Sequence, residues 1–315
     1  MFRTRSFAVS IALVGTIAAT NAFADDSKLL SGHKRDVNGV AISSDGKMVA
    51  SGSSDNEVKL WLDGKLSATR ASDQGAVISV AISPDGKRVA AGSMYGDVTL
   101  WDPAAGKDVY SKRGQEGRIT GIGFIAGGKQ LVTVGTDQKV RVWDAATGDA
   151  KATLEGHKYA ITGLAVAPNG KAFYTSDSGG NVRAWDAAGL KDGGTFELAK
   201  EAHAVAVSPD SKSLAVGFGD GTLIFLDAAS GKEASRGKVG DSVNALGYSP
   251  DGRFVAVGTQ GEEVAVVQVD GAKQVKSLKG HSRPVTAVAV ASDGTLATGS
   301  LDMNVRVWSL KDLVK

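Results

Sequence analysis

The sequence predicts an all-β chain folded as a seven-bladed β-propeller of four-stranded blades, on three observations. Tryptophan recurs at a fixed interval, a turn signature recurs in step with it, and the segments between alternate apolar and polar as strands do. At 315 residues the chain could hold two average domains, but large all-β folds of this size often form one.

The interval comes first. Four of the five tryptophans stand at 61, 101, 143 and 185, spaced by 40, 42 and 42. Trp308 lies three further periods on, with Phe225 and Val267 assigned to the empty slots. Each tryptophan ends an alternating stretch, such as Val58-Lys59-Leu60-Trp61 or Val305-Arg306-Val307-Trp308. The turn signature is Asp45-Gly46, Asp85-Gly86, Gly127-Gly128, Asn169-Gly170, Asp210-Ser211, Asp251-Gly252 and Asp293-Gly294, preceded by proline at Pro84, Pro168, Pro209 and Pro250. Proline presets φ, Asp or Asn tolerates the next position, and glycine accepts positive φ, so these are seven hairpins. The 41 glycines suit a chain rich in tight turns.

The first 24 residues follow another logic. Arg3 and Arg5 precede an uncharged run from Phe7 to Thr20, and Asn21-Ala22-Phe23-Ala24 supplies an A-x-A cleavage signal. That order predicts a secretory signal peptide over 1–24, with the propeller over 25–315. The run is too short for a membrane anchor, so no membrane span is expected after cleavage. Removing the two leader arginines from the 36 bases leaves 34 against 34 acids, which gives no ground for a nucleic-acid partner. The chain has no cysteine. Disulfides, lipoprotein anchors, C-x-x-C-H haem sites and thiolate chemistry are therefore excluded. The expected location is exported, periplasmic in a Gram-negative cell.

The repeat resembles the WD40 family, whose signature is Gly-His followed about two dozen residues later by Trp-Asp. Gly32-His33, Gly156-His157 and Gly280-His281 supply the first pair; Trp101-Asp102, Trp143-Asp144 and Trp185-Asp186 supply the second. The resemblance covers residues 27 to 315. It implies that each sequence repeat begins with the outer strand of the preceding blade. Lys28-Leu29-Leu30 should then complete the blade that holds Trp308 and close the ring, since only Lys311 to Lys315 follow the last blade's own strands.

The resemblance also implies a structural role for three of the four histidines, bonded to a strand Ser or Thr, a turn Asp and, through the hydroxyl, the Trp indole. Two blades carry the whole set: His33, Ser51, Asp55 and Trp61, and His281, Thr298, Asp302 and Trp308. Blade three has Gln115 with Thr133, Asp137 and Trp143. Blades five and six lack His and Trp, and apolar packing is expected to hold them as the softer sector. His203 aligns instead with Asn38, Ile78, Thr120, Thr162, Asn244 and Thr286, near the start of each innermost strand, and is a candidate at the channel mouth. Its bland reading is a solvated channel residue, because a metal site needs several converging ligands.

No calcium loop, nucleophile elbow, Walker loop or dinucleotide fingerprint stands in the required context, so no cofactor is expected. Gly217-Phe218-Gly219-Asp220-Gly221 precedes a strand rather than a helix and is taken as a turn. Partner binding is expected on the turns ahead of each tryptophan slot, where Met94, Tyr95, Phe218 and Leu301 stand out, with Arg118, Tyr159 and Arg283 at neighbouring strand starts. The function expected is a non-catalytic protein-binding scaffold or accessory subunit in an envelope complex. The alternative is a propeller-type hydrolase or lactonase with a metal at the channel mouth, which would need carboxylates that the aligned positions do not supply.

Overall fold

A computed structural model describes residues 27–310 apart from Ala199. The predicted leader and the residues after Leu310 lie outside the described residues. Within them the chain forms seven antiparallel sheets of four strands each. Six are continuous in sequence. The seventh is assembled from Val285–Val290, Thr295–Ser300 and Asn304–Ser309, with Lys28–Ser31 as its outer strand. That pairing sets Leu30 opposite Val305, and Leu30 is buried. The ring is thus closed by the N-terminal strand, as the resemblance implied.

Seven apolar clusters follow, and each spans the seam between two adjacent blades. A blade has two faces, so its central strands are buried on both, as in Leu223-Ile224-Phe225-Leu226. Close approach at the axis requires small residues at the third position of each inner strand: Gly39, Ser79, Gly121, Gly163, Ala204, Ala245 and Ala287. A Cβ on Gly39 would stand 2.9 Å from the Ile78 carbonyl oxygen of the next blade.

One slot assignment is corrected. In blade five Leu214 pairs with Leu226, as Val49 pairs with Trp61 and Phe173 with Trp185. Leu226, not Phe225, therefore fills the tryptophan slot and packs in the seam toward blade four. Phe225 points the other way and meets Tyr248 edge-on, with ring centroids 6.4 Å apart. Where both faces are buried, alternation carries no phase, and the sequence period slipped by one residue.

Candidate protein-binding face

The histidines account for themselves as a bonded relay. Trp61 donates from Nε1 to Ser51 Oγ at 3.0 Å, His33 Nε2 lies 2.8 Å from the same oxygen, and His33 Nδ1 lies 2.9 Å from Asp55 Oδ2. Since Ser51 accepts from the indole, its proton goes to Nε2, and Nδ1–H donates to the carboxylate. The set Trp308, Thr298, His281 and Asp302 repeats this at 3.0, 2.8 and 2.8 Å. Blade four has a third complete set that the sequence reading missed: Trp185, Thr175, His157 and Asp177, at 2.8, 2.6 and 2.6 Å. Its carboxylate comes from the strand end, two residues before the turn position that Gly179 occupies. In blade three Gln115 Nε2 donates to Asp137 at 2.9 Å, so an amide stands in for the imidazole.

These sets have the composition of a nucleophile–His–Asp triad, yet their chemistry is closed. Ser51, Thr175 and Thr298 are fully buried, and each oxygen already accepts an indole N–H. Burial lowers the pKa of His33 and His157, outweighing the opposing pull of Asp55 and Asp177, which keeps both rings neutral. For Asp55 burial alone would raise the pKa, but the Lys34 amide and His33 outweigh it and hold the carboxylate low. His33, Asp55 and Glu57 have ligand atoms close enough for a metal, but both His33 nitrogens are engaged within the relay.

The turns and strand starts share one face of the ring, tied by backbone bonds such as Met94 N–H to Ala76 O at 2.8 Å and Thr136 N–H to Arg118 O at 3.0 Å. Across blades seven, one and two this face carries a groove of about 890 Å³. Met94, Tyr95 and Met303 line it, together with Lys34, Arg35, Asp36 and Asp73. The three apolar side chains are 42%, 60% and 40% exposed. Tyr95 is held in place from beneath: a Cβ on Gly75, whose φ is 78°, would stand 2.6 Å from its ring. Tyr159, 52% exposed, lies over Gly179 in the same manner, four blades round from the ring's closing seam.

Not every predicted residue joins the groove. Arg118, Tyr159 and Arg283 are exposed on the same face but outside the groove, and Leu301 is half-buried. Phe218 is corrected: it is 1% exposed and packs in the seam between blades four and five. It ends a strand, paired with Ala202, as Ser53 pairs with Val37. The one-residue slip that misplaced Phe225 misplaced Phe218 too; the turn residues there are Gly219 and Asp220, and Asp220 pairs with Lys200 at 2.6 Å. Met303 was missed, although its signal was present. It is an apolar residue at a turn position where Asn56, Gly96, Gln138, Gly180 and Gly221 stand in other blades, all with positive φ.

At the axis, the seven aligned inner-strand positions line one cavity of about 200 Å³. In every blade the ladder slips at this point, between Val37 and Gly39, Val77 and Ser79, and so on round the ring. The residue thrown out by each bulge is Asn38, Ile78, Thr120, Thr162, His203, Asn244 or Thr286. A bulge re-aims a side chain, and here the polar members bond to the next blade. Thr120 donates to Ile161 O at 2.7 Å, Thr162 to Ala202 O at 2.6 Å and Asn38 to Val77 O at 2.9 Å. His203 meets a side chain rather than a carbonyl, with Nδ1 3.2 Å from Ser242 Oγ and Nε2 3.7 Å from Glu201.

A closed ring of seven four-stranded blades, three of them pinned by His–Ser/Thr–Asp–Trp relays, defines a repeat propeller. The chain belongs to the WD40 family: the family profile, described as WD domain, G-beta repeat, matches residues 25–61, 64–102, 106–144, 148–186 and 272–309. The matched segments leave 187–271 between them, the stretch holding most of the two blades that lack a Gly-His pair and a Trp. No curated protein matches the chain in sequence. WD40 propellers are commonly protein-interaction scaffolds and generally non-catalytic.

Proposed function

We propose that this protein is a non-catalytic binding platform of the cell envelope, exported by its leader, that holds a partner protein on its loop face. The observation that carries the reading is the groove across blades seven, one and two. Two methionines and a tyrosine stand exposed together on a rigid frame, and such side chains are enriched where proteins meet. Adjacent blades supply them, so a bound segment would cross two seams. None of the seven ring side chains is a carboxylate, so the ring itself supplies no hydrolytic pair.

The test is affinity capture from native envelope extract, with wild type beside Met94→Asp/Tyr95→Asp. Both positions are exposed, so the variant should fold. A specific protein retained by wild type and lost by the variant is the expected result. Equal retention by both overturns the groove as the working surface. No retained protein, together with a stoichiometric metal in the purified ring, replaces the platform with the hydrolase.

A further inference from the structure

The bonding of the channel ring fixes what it can still accept. Asn38 uses both amide hydrogens, on Ser54 Oγ at 3.0 Å and Val77 O at 2.9 Å. Asn244 likewise uses both, on Gln260 Oε1 at 3.3 Å and Val285 O at 3.0 Å. Thr120, Thr162 and Thr286 each have a single hydroxyl proton, given to Ile161 O, Ala202 O and Val37 O. Five of the seven ring residues have thus exhausted their donors in holding the blades together. What they still offer is oxygen lone pairs, apart from those on Asn38 and Thr162 that already face the Ser54 and Ser176 hydroxyls.

No lysine or arginine lines the cavity to repel a cation. The residues just ahead of the ring, at the strand starts, are Asp36, Ala76, Arg118, Ala160, Glu201, Ser242 and Pro284. They include two acids against one base. Below the ring the channel turns apolar at Val40, Val80, Ile122, Leu164, Val205, Leu246 and Val288, and opens into a second cavity of about 430 Å³ with no ionisable side chain except Tyr248. The Tyr248 hydroxyl is already engaged with Ser213 at 3.1 Å. The two cavities share Leu164, Val205, Leu246 and Val288, so one continuous channel runs from an acceptor-lined mouth to an apolar one.

We propose that this mouth is a recognition site for a primary ammonium on an aliphatic stem. An ammonium carries three donors and no acceptor, the complement of the five ring residues that can only accept. A carboxylate would meet lone pairs and is rejected. The ammonium has two sources, a free alkylamine with its chain in the apolar section, or a lysine from a protein docked on the loop face. The lysine source rests on the platform reading; the alkylamine source does not. Ile78 is the one apolar member of the ring and leaves a gap in it, and His203 is the one member with a nitrogen in place of an oxygen.

The test is an NMR titration of the full chain, following the methyl groups of Thr120, Thr162 and Thr286. The probes are n-propylammonium, propionate, acetyl-Gly-Lys-Gly-amide and its norleucine counterpart. Saturable shifts with propylammonium and none with propionate are expected. Ile78→Thr completes the ring and should tighten ammonium binding by about tenfold, the worth of one bond to a charged group; Thr162→Val should weaken it comparably. Ile78→Thr asks for a gain, so a folding defect cannot imitate its result. Equal binding of propionate, or no saturable shift with either amine, overturns the proposal. If the lysine peptide binds tighter than propylammonium and Met94→Asp/Tyr95→Asp removes the difference, the source is a partner's lysine. If propylammonium binds and that variant changes nothing, the site stands even where the platform falls. A partner captured through the groove with no ammonium shift overturns this site and leaves the platform.

Discussion

Blades one, four and seven differ from blades five and six in how the same seam is closed. The first group buries a relay of indole, hydroxyl, imidazole and carboxylate in the loop-side end of the seam. The second group fills the corresponding positions with Leu226, Val267, Leu198 and Val239, and adds the Phe225–Tyr248 contact. The two solutions differ in chemistry as well as in the size of the side chains they bury. A buried relay is stable only while every member is satisfied, whereas an apolar seam has no member that can be left unpaired. The relay sector should therefore be brittle to single deletions and to acid. The apolar sector should lose only what the cavity left by a deletion costs, and should be indifferent to acid.

The largest effect expected is on the closing seam. Removing residues up to Asp36 takes away the outer strand of blade seven, the buried Leu30 and His33 together, and exposes the edge of Asn304–Ser309. The loss should exceed about 4 kcal/mol, beyond the range of ordinary single substitutions, and prevent cooperative thermal unfolding. An unchanged midpoint would show that the ring does not depend on this strand.

Next come matched single deletions in the two sectors. His157→Ala leaves the Asp177 carboxylate, with only 1% of its side chain exposed, without its imidazole, and should cost about 3 kcal/mol. Leu226→Ala leaves a cavity and should cost about the same. The sectors separate in the double variants. His157→Leu/Asp177→Ala, which replaces the pair with apolar groups, should recover much of the loss, because removing both partners leaves no orphaned charge. Urea unfolding of the three variants measures this, and a double variant no better than His157→Ala would sink the contrast.

Much of this was legible from residues alone: seven blades, the hairpins, the closing strand and two of the three relays follow from the spacing of Trp, Gly-His and Asp-Gly. What was lost has physical causes. The Phe225 and Phe218 assignments failed because a strand buried on both faces has no polar phase to fix its register. The third relay was hidden because Asp177 reaches the ring from a different backbone position than Asp55 or Asp302. The acceptor ring was visible as an aligned column, yet its meaning depended on the bulges that bring its polar side chains to the next blade, and a bulge leaves no mark in a one-dimensional period. Met303, from blade seven, joins Tyr95 in one groove only once the ring closes.

The smallest effect is also the sharpest test of the comparison. Burial lowers the folded-state pKa of His33 and His157 below the ordinary value of 6.5. The unfolded chain therefore takes up protons first as the pH falls. The stability these two rings contribute is complete above about pH 6.5 and declines below it, toward their folded pKa values. Asp55 and Asp302, held low in the folded state, add a second loss only below the ordinary carboxylate range. The apolar cluster between blades five and six contains no histidine; His203 stands outside it, at the channel mouth, against Ser242. Hydrogen exchange at pH 7 and pH 5, corrected for intrinsic rates, should show protection falling in Val37–Ile42 and Ile161–Val166 but holding in Val243–Tyr248. A parallel fall in all three strands would mean that the ring opens as one cooperative unit and that the two kinds of seam are energetically coupled.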